Sequence, residues 1–371
     1  MDFGAFVVLA ALAVDCASGA VIPSPKTLVS RNYDASNPYA NWPSYEQLPL
    51  HPSFPSKAAW GVWGADDVNG ALNHITNATI LAASQEIKLG KAFNLNLELD
   101  IPDPPINPSR KPLSHLYQPG SGYTDDVIVM NTQISTQYDG LRHFPYSTNG
   151  NVSTYQWYND LISDYDEVIG PSPSTVLGIQ QAAQKGIAGR GVLLDYAGWA
   201  EAHNITVNAF TNQSISVADL DNVAAWQGLD ASWARPGDIL FVRTGWVQAY
   251  NNLTKREQQV LPLRSDEDSK HIGILASDES GAWFWEKKLA LVGADNPAFE
   301  AIPFAGTFGG DERSFHQIFI GGWGQSIVEF LDLEALAKTL HRLGRSTFFL
   351  TIQNLNVVSG IASPPNALAI I

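Results

Sequence analysis

Four side chains able to bind a substrate or move a proton crowd one short stretch of this chain: Gln133, Gln137, Asp139 and His143. The first three are separated by even steps, so an extended backbone would turn them to one face. A carboxylate near an imidazole is the smallest set for general acid–base chemistry. Asp139 could orient the ring of His143 and stabilise its charged form. The two amides could hold a carbonyl or a phenol by paired hydrogen bonds. The same pattern also arises as a buried polar cluster that satisfies loop backbone. Tyr138, Asp139 and Gly140 read as a turn that re-aims the chain before His143.

Other residues carry two readings each. Arg142 could bind an anionic substrate or pair with a surface carboxylate. Tyr146 and Trp157 could line a pocket or fill the core. Asp295 ends an apolar run, where α/β folds often place site residues, although Asp-Asn-Pro is also ordinary turn chemistry. His271 could serve a turn or catalysis. The commonest catalytic signatures are missing. The sequence has no G-x-S-x-G, no phosphate-binding G-x-x-x-x-G-K-[ST], no H-E-x-x-H and no G-x-G-x-x-G.

The elements that must position these residues follow from periodicity. Residues 91–99 alternate apolar and polar and predict a strand. Residues 126–130 predict another, running into the polar stretch. The apolar runs 192–195 and 239–242, set off by Gly and Pro, predict buried strands. Ser216 with Asp219 forms a capping box, and Leu220, Val223 and Ala224 follow on one helical face. A helix over 279–288 can carry Trp283 and Phe284 inward before a strand at 289–293. Asp332 caps a helix with the stripe Leu333, Leu336, Leu340 and Leu343, closed by Gly344, and 345–355 is a strand. Residues 21–58 are rich in Pro, Ser and Asn and predict an irregular surface segment. One α/β domain with a mixed sheet over 59–371 is the economical expectation.

With 371 residues the chain can bury most of its apolar surface without a metal or disulfide. A formal charge of -15 disfavours nucleic acid and anionic membrane as partners. Residues 1–20 read as a signal peptide, with an apolar run and small residues before a cut after Ala20. The only cysteine, Cys16, falls inside it, so no thiolate chemistry is expected of the mature chain. Sequons at Asn77, Asn151, Asn204, Asn212 and Asn252 fit a secreted, N-glycosylated protein.

Five stretches, 60–67, 132–143, 235–246, 293–300 and 362–368, resemble the cyclase family that includes bacterial kynurenine formamidase and isatin hydrolase, and in particular its fungal branch. The resemblance implies a swivelling β/β/α-type α/β domain, usually assembled as dimers or larger, with a homodimer expected here, and a small-molecule substrate. The family's metal hydrolases carry H-x-G-T-H-x-D-x-P-x-H. Setting Asp139 on its Asp puts Gln133 and Gln137 on the first two His, Ser135 on the Gly, Thr136 on the Thr, Leu141 on the Pro and His143 on the last His. His316 and Glu329 fall where a later His and Glu complete the family's metal site. Asp139, His143, His316 and Glu329 are then the expected catalytic set, with Gln133, Gln137, Arg142, Tyr146 and Asp295 around the substrate. An amide oxygen is a weaker metal donor than an imidazole, so no metal is expected. Were a divalent metal bound, Gln133, Gln137, Asp139, His316 and Glu329 would be its ligands.

Three functions compete at this point. The first is an enzyme that opens or closes a ring at a carbonyl. The second is a non-hydrolytic cyclase of fungal secondary metabolism that guides ring formation mainly by orientation. The third is a silent binding protein that keeps only the fold.

Overall fold

The two apolar runs form the parallel centre of a nine-stranded mixed sheet. In the computed structural model, which describes residues 37–371 except Asn149, Asp266 and Ala305, they extend to 187–195 and 239–243. The expected signal peptide, Cys16 and residues 21–36 lie outside the described residues. Numbered along the chain, the main-sheet strands are β1 (Ala92–Asn94), β2 (Gln137–Asp139), β3 (Ile187–Asp195), β4 (Ile239–Arg243), β5 (Leu291–Ala294), β6 (Ile327–Glu329), β7 (Thr347–Ile352), β8 (Ala362–Ser363) and β9 (Leu368–Ile370). Their order is β1-β9-β7-β3-β4-β5-β6-β2-β8. β3, β4, β5 and β6 run parallel, and every other pairing is antiparallel.

Both faces of this sheet are covered, as a parallel centre requires. Leu240 and Val242 pack into one apolar cluster, while Ile239 and Phe241 pack into another on the opposite face. The helix Val217–Trp226 opens with the expected capping box. Ser216 Oγ accepts the Asp219 N–H at 3.1 Å, and the Asp219 carboxylate accepts the Ser216 N–H at 3.0 Å. The helix Glu334–Leu343 closes at Gly344, whose φ of 59° is the left-handed value that glycine supplies cheaply. Asp332 accepts the Glu334 N–H at 3.2 Å near its start.

Three expectations need correction. The strand over 91–99 shrinks to β1, where Phe93 is buried opposite Ala369. The strand expected at 126–130 forms as Thr124–Val129 but stays out of the main sheet. It pairs only with Ser114–Pro119, in a hairpin whose twelve residues are all exposed. Tyr138 and Asp139 do not turn. They sit in β2, clamped between β6 and β8, and Tyr138 is buried in the second apolar cluster. The turn comes one step later, where the His143 N–H reaches the Gly140 carbonyl at 2.9 Å. A side chain at Gly140 would meet the Ile361 carbonyl oxygen at 2.6 Å, so the backbone can pass this close only without one.

The N-terminal segment is irregular from 37 to 58 apart from the short turn Tyr45–Gln47. Rings hold it down: Trp42 stacks on Trp285 at 4.9 Å, and the Tyr39 hydroxyl lies 2.8 Å from Nδ1 of His74.

Candidate active site

Alternation along β2 decides where the site lies. Tyr138 points into one apolar cluster, so Gln137 and Asp139 point to the other face. The register of β2 with β6 sets Gln137 opposite Glu329 and Asp139 opposite Ile327. The Gln137 amide N–H donates to Glu329 Oε2 at 2.6 Å across the two strands. Gln133, in the loop before β2, donates its amide N–H to Asp139 Oδ1 at 2.8 Å. The same nitrogen lies 3.1 Å from His143 Nε2.

His316 arrives from the loop after β5. It opens the π-helical segment His316–Trp323, anchored by buried Ile318, Phe319 and Ile320. Such segments are rare and often mark functional positions. Its Nδ1 lies 3.0 Å from Glu300 Oε1, and its Nε2 lies 3.1 Å from Glu329 Oε1 and 3.7 Å from Asp139 Oδ2. His143 Nε2 stands 3.9 Å from the same Asp139 oxygen. Arg110 reaches in from a loop, donating Nη1 to the Gln133 carbonyl at 2.6 Å and to Gln137 Oε1 at 3.0 Å.

Three buried carboxyl groups thus surround one buried imidazole, with the Arg110 guanidinium behind Gln133 and Gln137. Burial alone would lower the pKa of His316, but Glu300, Asp139 and Glu329 outweigh it and raise the ring well above its usual value. Burial would also raise Asp139, yet His143, His316 and Arg110 hold it below the usual carboxylate range. Glu329 goes the other way. Burial and the neighbouring Asp139 charge push it up to about 7. Burial pushes His143 down to about 4, with His316 and Arg110 adding to this and Asp139 opposing it. At neutral pH His143 is therefore an unprotonated base beside an ionised carboxylate. Its ring is mostly buried but is the most accessible of the three, with 18% of the side chain exposed against 7% for His316 and none for Asp139.

The donor atoms test whether the metal implied by the family motif suits these residues. Asp139, His143 and His316 bring ligand-type atoms within 4.8 Å of one another, a spacing that admits a cation. The first two motif positions do not suit one. Gln137 turns its oxygen to Arg110 and its N–H to Glu329, and Gln133 turns its N–H to Asp139. An amide N–H cannot ligate a cation, and a guanidinium at the same oxygen repels one. His316 already has a carboxylate at each ring nitrogen.

The structure gathers Gln133, Gln137, Asp139, His143, His316 and Glu329, and leaves three expected substrate contacts outside the cluster. Arg142 is buried and donates to four backbone carbonyls, those of Ser174, Val176, Glu167 and Val168. It ties down the segment 167–176 and offers no anion site. Replacing Arg142 by Met is expected to lower stability by roughly 3 kcal/mol, since buried carbonyls lose their donor. Chemical denaturation would check this. Tyr146 is buried, donates its hydroxyl to the Ser56 carbonyl at 3.0 Å and packs beside Gly321 and Gly322. Asp295 accepts the N–H groups of Thr244 and Gly245 and the Thr244 hydroxyl at 2.6 to 3.0 Å. It organises the entry to the helix Trp246–Asn251. His271 is an acceptor for the Trp246 indole N–H at 3.1 Å.

Sequence reasoning missed Arg110, Glu300 and the rings at the rim. Phe144 and Phe304 flank His316 with ring centroids 5.1 and 6.1 Å away. Glu300 had a signal, because it closes the family-like stretch 293–300. Arg110 had none.

Comparison with known proteins agrees with this architecture. The sequence matches the family described as "Putative cyclase" over residues 49–301. A solved structure described as a novel cyclase is 30% identical, spans 85% of this chain and 99% of its own, and superposes with a TM-score of 0.71. The chain belongs to the cyclase family. Isatin hydrolase A from Labrenzia aggregata, solved with benzyl benzoate, is 15% identical over 77% of this chain and 94% of its own, with a TM-score of 0.49. Isatin hydrolase A from Ralstonia solanacearum is 16% identical over 80% of this chain and 97% of its own, with a TM-score of 0.49. No curated protein matches the chain.

Proposed function

We propose that this chain is an acid–base enzyme that opens or forms a ring at a carbonyl of a small molecule, and that it does so without a divalent metal. One arrangement carries the reading: His143, more accessible than Asp139 or His316, stands 3.9 Å from Asp139, while His316 and Arg110 bring positive charge to the buried carboxyl groups. In the hydrolytic direction His143 takes a proton from water as its oxygen adds to the carbonyl carbon. Asp139 stabilises the imidazolium that forms, and the ring then returns the proton to the departing oxygen or nitrogen. In the reverse direction the same groups expel water and close the ring.

We further propose that the protein is secreted and glycosylated and serves fungal secondary metabolism. In support, all five sequon asparagines are exposed. No helix among the described residues is long and apolar enough to cross a membrane.

The test is a panel of lactones, cyclic amides and aryl formamides, followed by product analysis and a pH profile. Turnover of one class is expected, with activity kept well below pH 6 and lost as pH falls toward about 4, where His143 becomes protonated. An ordinary histidine would lose its base form near pH 6.5. Loss of activity at that higher pH, or no turnover of any member, would overturn the reading.

A further inference from the structure

Arg110 is the cation of the site that no carboxylate touches: its charge acts on Asp139 and Glu329 only from a distance. Only its Nη1 is engaged, and only by neutral acceptors, the Gln133 carbonyl and the Gln137 amide oxygen. Among the described residues no carboxylate comes within ion-pair distance of it. That is unusual company for an arginine in a chain with 37 acidic and 22 basic residues. A neutral amide could hold Gln133 and Gln137 equally well; the charge helps to keep Asp139 ionised without spending a hydrogen bond on it, which leaves the guanidinium available to a ligand. A guanidinium has five N–H donors, and among the described residues Nε and Nη2 of Arg110 make no hydrogen bond.

We propose that Arg110 is the electrophile of this site: its free N–H groups bind the carbonyl oxygen on which negative charge develops, and then the carboxylate that hydrolysis releases. The inference rests on the ring-opening reading and deepens it. Water adds through its oxygen to the carbonyl carbon, and the electron pair of the C=O π bond moves to the oxygen facing Arg110. As the pair returns, the ring C–O or C–N bond breaks and its electrons leave with the heteroatom. That atom receives, through His143, the proton taken from water. The carboxylic acid so formed loses its proton to solvent and stays as a carboxylate against the guanidinium. A paired, charge-assisted contact of this kind is what a planar guanidinium makes best.

The test needs no turnover. Benzoate and its neutral isostere benzamide are titrated calorimetrically into the whole protein. Their ring suits the rim formed by Phe144 and Phe304. Wild type is expected to bind benzoate about tenfold or more tightly than benzamide. Arg110→Gln, which keeps an N–H donor for Gln137, should abolish that preference, and Arg110→Lys should retain part of it. Equal binding of the two ligands, no binding of benzoate, or a preference that survives Arg110→Gln overturns the proposal. With any substrate from the panel, Arg110→Gln should lower kcat by about 10²-fold and move KM little. Unchanged kcat would sink the role of Arg110 and leave the acid–base reading standing. An empty panel beside an intact benzoate preference would do the reverse.

Discussion

Replacing His143 by alanine is expected to lower turnover by about 10²–10⁴-fold, the usual contribution of a positioned general base. The argument is one of position and protonation. His143 is more accessible than Asp139 or His316, and partial burial lowers its pKa to about 4. Asp139 and His316 are more deeply buried; Asp139 Oδ1 accepts from Gln133, and the two ring nitrogens of His316 face Glu300 and Glu329. The hydrogen bond of the His143 ring goes to the Gln133 amide, which also keeps its bond to Asp139, so thermal unfolding should stay close to wild type. Single-turnover rates with the substrate found in the panel, alongside calorimetry, would check both halves. A variant that turns over at the wild-type rate would remove His143 from the mechanism.

The second large effect is on stability. His316→Ala removes the imidazolium that Glu300, Glu329 and Asp139 surround, leaving buried carboxyl groups uncompensated. Breaking a buried charge pair in this way costs roughly 3–5 kcal/mol. In a chain of this size that corresponds to a fall in Tm on the order of 5 °C. The pH dependence gives the effect a signature. In the wild type His316 has a pKa raised above its unfolded value. Its stabilisation is therefore complete below about pH 6.5 and is lost only as pH rises through the raised value. In His316→Ala, Asp139 and Glu329 should titrate higher than in the unfolded chain. The deficit should then be large at neutral pH and shrink as pH falls toward about 4, where both states hold those protons. A deficit that is flat with pH would mean that lost packing, rather than lost charge, is responsible.

How much of this was legible in the sequence depended on how local the cause was. β3 and β4 were readable because apolar runs after Gly and Pro are local signals. The capping box at Ser216 was readable for the same reason. Asp139 and Gly140 misled, because an Asp followed by Gly looks like a turn. What makes β2 a strand is pairing with β6 and β8, about 190 and 220 residues away in sequence. The site shows the same division. Gln133, Gln137, Asp139 and His143 lie within eleven residues, so their types and spacing spoke for themselves. His316 and Glu329 needed the family resemblance. Arg110 comes from an irregular loop, and only the folded chain brings it to Gln137. Arg142 was attractive as a cation beside His143, and Asp295 because residues at strand ends often act on substrates. In this fold backbone carbonyls consume the first and backbone N–H groups consume the second.

The central claim is that the chain carries its own cations in place of a metal. Elemental analysis of the purified protein, joined to an activity assay before and after exhaustive chelation, tests it most directly. The account predicts substoichiometric zinc, manganese, iron and magnesium, and turnover unchanged by chelator. One equivalent of a divalent metal that copurifies with the protein, with activity lost on its removal and regained on its return, would contradict it.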